Sequence, residues 1–165
     1  MLKKQKAKLV RAAPDWRFAI IASRYNAKYV DGMLAAAQRE FKRAGAMPDQ
    51  IRLIRVPGAF EIPAVVARLA RDRKADAILC LGVILRGETT HADHIGWGVT
   101  HALAQIQLHE GLPVIHEVLL FENEKQARVR CLGRAINRGA EAARTAIEMA
   151  RVMKTLGTQH SALRT

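Results

Sequence analysis

The sequence predicts an α/β protein in which one four-stranded parallel sheet lies between two layers of helices. Four short, β-prone apolar segments alternate with longer segments whose apolar residues recur at helical spacing. Residues 76–84 are almost wholly apolar, as in a strand that is buried on both faces. Together these two observations favour βαβ units with right-handed crossovers, and so a three-layer α/β/α sandwich.

Each predicted element has its own local signal. The predicted strands cover residues 17–22, 51–56, 76–84 and 112–120. The predicted helices cover 27–44, the segment after the Pro57–Gly58 turn, 92–110, and two segments divided near 137–139. Asn26 is a candidate N-cap for the first helix, and Gly45 and Gly111 are the stops expected after the first and third.

The ends and the composition bound the class of protein. One domain is expected over 1–165, with a basic N-terminal extension at 1–15 and a loose tail at 157–165. No apolar run approaches the roughly 18 residues of a membrane span, so a cytoplasmic protein is expected. Cys80 and Cys131 form no metal or disulfide pattern.

The net charge of +12 favours anionic partners, namely nucleic acid, phosphorylated metabolites or an acidic protein. The basic residues are scattered except in the N-terminal extension and in the segment "KQARVRCLGR". The chain contains neither a nucleic-acid-binding motif nor an aromatic platform for single strands, which disfavours a direct nucleic-acid function.

Four polar segments follow the four predicted strands. They are "SRYN", "PGAFE", "RGETTH" and "FEN". In parallel sheets, ligands bind outside the carboxyl ends of the strands. We therefore expect these segments to converge on one edge of the sheet and to form the functional site.

The residues of "RGETTH" have both chemical and structural interpretations. His91 either moves protons or only begins a helix. Arg86 either orients a neighbour or forms an ion pair with Glu61 or Asp93. Residues 87–89 offer backbone N–H groups and threonine hydroxyls to an anion, whereas Thr90 and Asp93 also match a capping box.

The other segments add side chains that suit a flat ring, a polyol and a phosphate. Tyr25 and Phe60 either stack on a ring or pack at the surface. Glu61 can accept hydrogen bonds, and an arginine can bind phosphate through two parallel hydrogen bonds. His91 and His94 have the spacing of metal ligands, but a third ligand is missing from any clear pattern, so no metal is expected.

The motifs "SRYN", "VPGAFEIP", "LGVILRGETTH" and "NRGAEAARTAIEMA" come in the order and spacing of the lumazine synthase family. The resemblance covers about residues 17–156. It implies a flavodoxin-like fold and an enzyme, a transferase of riboflavin biosynthesis. The implied reaction condenses 5-amino-6-(D-ribitylamino)uracil with 3,4-dihydroxy-2-butanone 4-phosphate. Inorganic phosphate and water are released, and no cofactor or metal takes part.

The resemblance also implies a role for each matching position. Tyr25 would stack on the pyrimidine, and His91 would be the catalytic proton-transfer residue. Arg130 would be catalytic through its hold on the phosphate, and Glu88 and Thr89 would meet the same phosphorylated substrate. The other implied substrate-binding residues are Ala59, Phe60 and Glu61 at the ribityl side, Val83, Ile84 and Leu85 at the ring, and His116 and Arg138.

Three of these positions depart from the family pattern. Tyr25 stands where Phe or Trp is common, which keeps the stacking face and adds a hydroxyl. Arg138 replaces a common lysine, so the charge is preserved but the geometry differs. His116 replaces a usual Phe that is contributed to the neighbouring subunit's site. We expect it to make substrate affinity depend on pH.

The resemblance implies a homo-oligomer built of pentamers, either a single pentamer, a decamer or an icosahedral shell of sixty subunits. The segment "CLGRAINRGAE" has no insertion, which allows the shell, but lacks the usual "GTKAGNKG" wording. Riboflavin synthase or anionic cargo are the implied partners of such a shell. Two other functions stay open: a lumazine- or flavin-binding relative without turnover, and a basic scaffold.

Overall fold

The computed structural model describes residues 10–162, with only the backbone for 158–162. The strands are β1 (Phe18–Ser23), β2 (Ile51–Val56), β3 (Ala77–Leu85) and β4 (Val114–Phe121). The helices are α1 (Ala27–Arg43), α2 (Ile62–Arg71), α3 (His91–Glu110), α4 (Glu124–Leu132) and α5 (Arg138–Ala162). The predicted order of strands and helices is confirmed, with boundaries that differ mostly by one or two residues.

The four strands form one parallel sheet in the order β2-β1-β3-β4. Phe18 of β1 pairs with Ile51 on one side and Ala77 on the other, and β4 joins β3 with Ile78 opposite Val114. The central strands β1 and β3 are buried almost throughout, whereas the edge strand β2 is half exposed. The predicted four-stranded parallel sheet is therefore confirmed.

Alternate side chains of the sheet enter two separate hydrophobic cores. On one face, residues such as Ile20 and Leu79 pack against α1, α4 and α5. On the other face, residues such as Ile21 and Ile78 pack against α2 and α3. This period-two alternation follows from strand geometry and produces the predicted three-layer α/β/α arrangement. Among the helices of the described part, none is long and apolar enough to span a membrane.

Asn26 and Thr90 occupy the predicted N-cap positions of α1 and α3, but neither side chain makes the capping hydrogen bond. Asn26 takes left-handed backbone angles (φ 55°), which an asparagine tolerates, and its side chain donates a hydrogen bond to the Val83 carbonyl (2.8 Å) instead of accepting one from α1. Thr90 precedes α3 without a side-chain cap, and Asp93, the other residue of the predicted capping box, is held by Arg86. Gly45 (φ 87°), by contrast, follows α1 with the left-handed backbone expected of a stop.

Gly111 (φ 59°) ends α3 with the predicted left-handed backbone. Helix α5, however, continues to Ala162, so the predicted loose tail is wrong for residues 157–162. A helix that is already nucleated extends at little cost per residue, even through a glycine. Residues 1–9 and 163–165 lie outside the described residues. The extension at 1–15 and the single domain over 1–165 stay predictions.

Candidate active site

A cavity of about 700 Å³ opens at the carboxyl edge of the sheet. The segments after β1, β2 and β3 and the first turn of α3 form its walls, as the topology of a parallel sheet predicts. The following residues that the sequence analysis assigned to a site line it: Tyr25, Ala59, Phe60, Glu61, Val83, Ile84, Leu85, Thr89 and His91. The structure thus brings together nine predicted positions from three separated segments.

The two aromatic rings of the cavity are open to solvent. Tyr25 is 73% exposed and Phe60 is 63% exposed, so surface packing alone does not account for either ring. The backbone N–H of Tyr25 donates a hydrogen bond to the Pro57 carbonyl (3.0 Å), which ties the segment after β1 to the segment after β2. Two aromatic faces on a fixed backbone suit the binding of a flat ring.

Glu61 lies at the start of α2 beside Phe60. Its carboxylate accepts a hydrogen bond from the backbone N–H of Gly58 (2.8 Å) across the "PGAFE" turn. This contact orients the carboxylate at the cavity wall, where it can accept further hydrogen bonds from hydroxyl groups.

His91 is the first residue of α3 and its side chain is exposed at the cavity. Its backbone N–H approaches the Thr89 hydroxyl oxygen at 3.4 Å, so the loop before the helix is only loosely held by its own groups. Glu88 lies in the same exposed loop but does not line the cavity. The cavity therefore has two imidazoles, those of His91 and His94, available for proton transfer, and a threonine hydroxyl beside His91.

Arg86 forms an ion pair with Asp93, which is one of the two interpretations that the sequence allowed for this residue. Its guanidinium donates two hydrogen bonds to Asp93 (2.6 and 2.7 Å) and one to Glu122 (2.6 Å), whereas the other candidate partner, Glu61, is not involved. These hydrogen bonds raise the pKa of the Arg86 guanidinium, and the two that Asp93 accepts lower the pKa of its carboxyl.

His116 does not line this cavity. It lies on β4, where its Nε2 is 2.8 Å from the Thr100 hydroxyl and its Nδ1 accepts a hydrogen bond from the Val118 N–H (3.2 Å). Because Nδ1 accepts, Nε2 carries the proton of a neutral ring and donates to Thr100. Burial lowers the pKa of His116, which favours this neutral form.

The two predicted phosphate-binding arginines also lie away from this cavity. Arg130 is exposed in the last turn of α4. Arg138 begins α5, and its guanidinium donates to both oxygens of the buried Glu117 (2.9 and 3.1 Å) and to Glu141 (2.7 Å). The cavity of the described chain therefore contains the residues predicted for ring binding and proton transfer, but neither of the two predicted phosphate-binding arginines.

Sequence reasoning gave no substrate-site role to several cavity residues, namely Gly58, Ala92, His94 and Ile95. Helical spacing was the available signal for His94 and Ile95, because residues three and four positions after His91 share its side of α3. His94 was considered only as a metal ligand. Within residues 10–162, no group of three His, Cys, Asp or Glu side chains is placed to hold a metal ion.

The fold and the cavity define an α/β protein with an open cavity at the carboxyl edge of a parallel sheet. The family model for 6,7-dimethyl-8-ribityllumazine synthase matches residues 15–154. Proteins of that name from Halorhodospira halophila and Stenotrophomonas maltophilia are each 40% identical to this chain. The alignments cover 88% and 89% of this chain and 93% and 95% of those proteins. The chain belongs to the 6,7-dimethyl-8-ribityllumazine synthase family.

Proposed function

We propose that the protein is a transferase that makes 6,7-dimethyl-8-ribityllumazine in riboflavin biosynthesis. Its substrates are 5-amino-6-(D-ribitylamino)uracil and 3,4-dihydroxy-2-butanone 4-phosphate. The observation that carries the proposal is the cavity itself, because nine residues with family-implied roles line one space of about 700 Å³. The name of the relatives that align along nearly their whole length supports the same activity.

Different walls of the cavity contact different parts of the ribitylaminouracil substrate. The pyrimidine lies between the rings of Tyr25 and Phe60 and the apolar wall that Val83 and Leu85 provide, and Glu61 accepts hydrogen bonds from the ribityl hydroxyls. Holding both substrates in one orientation turns a bimolecular step into a unimolecular one. That effect is worth roughly 7–11 kcal/mol.

The chemistry needs protons to move at several steps. The substrate amine attacks the ketone carbon, and loss of water leaves an imine. Inorganic phosphate is then eliminated, and ring closure with loss of a second water gives the lumazine. His91 takes and returns the protons, beside the Thr89 hydroxyl. These steps need no external oxidant or reductant, so the proposal includes no cofactor.

A neighbouring subunit completes the site in this proposal. Arg130 and His116 lie outside the cavity of their own subunit, and we assign the phosphate and ring contacts of these residues to the adjacent copy's cavity. A homopentamer supplies such neighbours, and a decamer or an icosahedral shell supplies them equally. A substrate role for Arg138 stays a prediction, because its guanidinium is already engaged by two carboxylates.

The wider partners and the cytoplasmic location stay predictions as well. If the subunits form a shell and their net charge of +12 lies on its inner surface, the shell would attract anionic cargo. Riboflavin synthase is the other partner that the family resemblance implies. Nucleic acid that co-purifies at low salt and is lost as salt rises would support inward-facing charge. Cargo-free particles at low salt would count against it.

The first experiment follows formation of the lumazine by absorbance when the purified protein is mixed with both substrates. We expect His91→Ala to lower kcat about a hundredfold, the lower end of what a positioned acid–base group contributes. Arg130→Ala should raise KM for the butanone phosphate, because it removes a charged phosphate contact.

The matched controls are His109→Ala and Arg128→Ala. His109 is exposed in the last turn of α3, and Arg128 is exposed on the same helix as Arg130. Neither control should change turnover. An assembled wild-type protein that gave no lumazine above the uncatalysed rate would overturn the proposal and favour a ligand-binding or scaffold role.

A further inference from the structure

Arg86 connects three elements around the cavity without lining it. It follows the last residue of β3, and its backbone N–H extends the sheet ladder to the Phe121 carbonyl (2.9 Å). Its guanidinium then reaches Asp93 in the first turn of α3 and Glu122 just after β4. One side chain thereby fixes the start of α3 against the ends of two strands.

The loop that Arg86 and Asp93 bracket has little else to hold it. Residues 87–90 are all exposed, and a Cβ built on Gly87 would meet nothing within 4 Å. The hydrogen bond from the His91 N–H to the Thr89 hydroxyl is long, at 3.4 Å. This segment nevertheless carries Gly87, Thr89 and His91 of the cavity wall, and the chemistry requires Thr89 and His91 to be fixed in position.

The charges around Arg86 argue against a role in binding phosphate. Two carboxylates take all three of its donor nitrogens, Nε by Glu122 and both Nη atoms by Asp93, so the group of three carries a net negative charge. A guanidinium that is neutralised in this way offers an anion little attraction. Its planar fork instead provides fixed directions to two different elements.

We propose that Arg86 is a positioning residue that holds the loop of Thr89 and His91 against the cavity, and that this loop sets the site for the phosphorylated ketone. The inference rests on the proposed function for its substrate. The stacking and ribityl contacts come from segments after β1 and β2, which Arg86 does not touch. Loss of the Arg86 contacts should therefore affect one substrate and spare the other.

The test compares Arg86→Gln and Arg86→Lys with the wild-type protein. Arg86→Gln should lower kcat/KM for the butanone phosphate about tenfold to a hundredfold, because a misplacement of about 1 Å can cost that much. KM for the ribitylaminouracil should change less than about twofold. Arg86→Lys keeps the charge but cannot reach both carboxylates in the same geometry, so it should restore only part of the loss.

The control is Arg68→Gln, which removes another arginine–carboxylate pair, that with Asp72 on α2. It should leave both KM values and kcat unchanged. Asp93→Asn should reproduce the effect of Arg86→Gln, and the double variant should be little worse than either single one, because all three variants lose the Arg86–Asp93 interaction. Equal rises in both KM values for Arg86→Gln, or no change at all, would overturn the inference.

Amide hydrogen exchange provides a readout that does not depend on turnover. Peptides that cover residues 87–95 should exchange faster in Arg86→Gln than in the wild type or Arg68→Gln. If the wild type gave no lumazine, the proposed function would fail, and exchange would still decide the positioning role. Unchanged exchange in Arg86→Gln would refute that role whatever the activity.

Discussion

His116 shows how one substitution changes the electrostatics of a strand. Its ring is held as a neutral donor between Thr100 and the Val118 backbone, and burial lowers its pKa below the ordinary value. Protonation would remove the acceptor that the Val118 N–H uses. A histidine in this position therefore resists protonation in the folded protein but not in the unfolded chain.

The first prediction is that His116→Phe weakens the dependence of stability on pH. As pH falls through about 6.5, the unfolded chain gains a proton that the folded protein refuses, so the wild-type free energy of unfolding falls. The phenylalanine variant lacks this term. Urea unfolding at about pH 7.5 and about pH 5.5 should therefore show a smaller loss in the variant.

Thr100→Val is the control for this prediction, because it removes the partner hydroxyl and leaves the imidazole to titrate. Its pH dependence should stay close to that of the wild type. We also expect His116→Phe to keep activity and to flatten the activity profile below neutrality. An equal loss of stability on acidification in wild type and His116→Phe would contradict the argument.

Arg138 stabilises a carboxylate that the core would otherwise exclude. Glu117 is 5% exposed, and its burial raises the pKa of its carboxyl, while the hydrogen bonds from Arg138 oppose that rise. From the sequence alone, Arg138 is expected only to bind substrate. The buried partner on β4 was not visible from spacing, because the two residues meet only through the tertiary fold.

We predict that Arg138→Gln lowers the free energy of unfolding by about 2 kcal/mol, because it leaves the Glu117 carboxylate buried without a cation. Arg151→Gln, which breaks an exposed pair with Glu148 on the same helix, should cost less than about 0.5 kcal/mol. Urea unfolding midpoints measure both. Equal effects would show that burial of Glu117 does not matter.

At the scale of elements, the contact between α1 and α5 depends on one glycine. A Cβ built on Gly139 would overlap the backbone of Met33, so α5 begins where only a glycine lets it lie against α1. Asn137 secures this start, because its side chain accepts a hydrogen bond from the Gly139 N–H (3.0 Å) and donates one to the Cys131 carbonyl (2.7 Å).

Gly139→Ala should therefore destabilise the protein by about 3 kcal/mol, the upper range for overpacking, since backbone rather than a flexible side chain is in the way. Gly157→Ala provides the matched control on the same helix. A Cβ there meets nothing within 4 Å, and alanine should stabilise α5 by about 0.5–1 kcal/mol. Thermal unfolding of both variants tests the pair, and destabilisation of similar size would contradict it.

At the scale of the whole molecule, the subunit exposes large apolar side chains on α3. Trp97 is 78% exposed and Leu108 is 75% exposed, although α3 packs on the sheet through its other side. Exposed apolar groups of this size on one helix are typical of a surface that another protein covers. In the proposed assembly, a second copy of the chain covers these side chains.

We predict that the purified protein has the mass of a pentamer or of a multiple of pentamers, and that Trp97→Glu shifts it to smaller species. A buried carboxylate in place of an apolar ring costs several kcal/mol of association free energy. The control is Met47→Glu, which changes another exposed apolar residue, one that lies shortly before the edge strand β2. This variant should leave the mass unchanged. Light scattering after gel filtration measures both, and a monomeric wild type would refute the prediction.

The order of elements, the parallel sheet and the edge that holds the cavity could all be predicted from local pattern. Strand alternation and helical spacing are properties of neighbouring residues, and the topology of a parallel sheet then places the segments after the strands on one edge. Nine cavity residues from three separated segments could be assigned by that rule together with the family resemblance.

The partners of charged and capping residues required the folded structure. Asn26 bonds to β3 rather than to its own helix, Asp93 pairs with Arg86 rather than capping α3, and Arg138 is engaged by Glu117. Each of these side chains bonds a residue of another segment, and Arg138 keeps its local partner Glu141 as well. Such partners depend on distances and burial that exist only after the sheet and helices have packed.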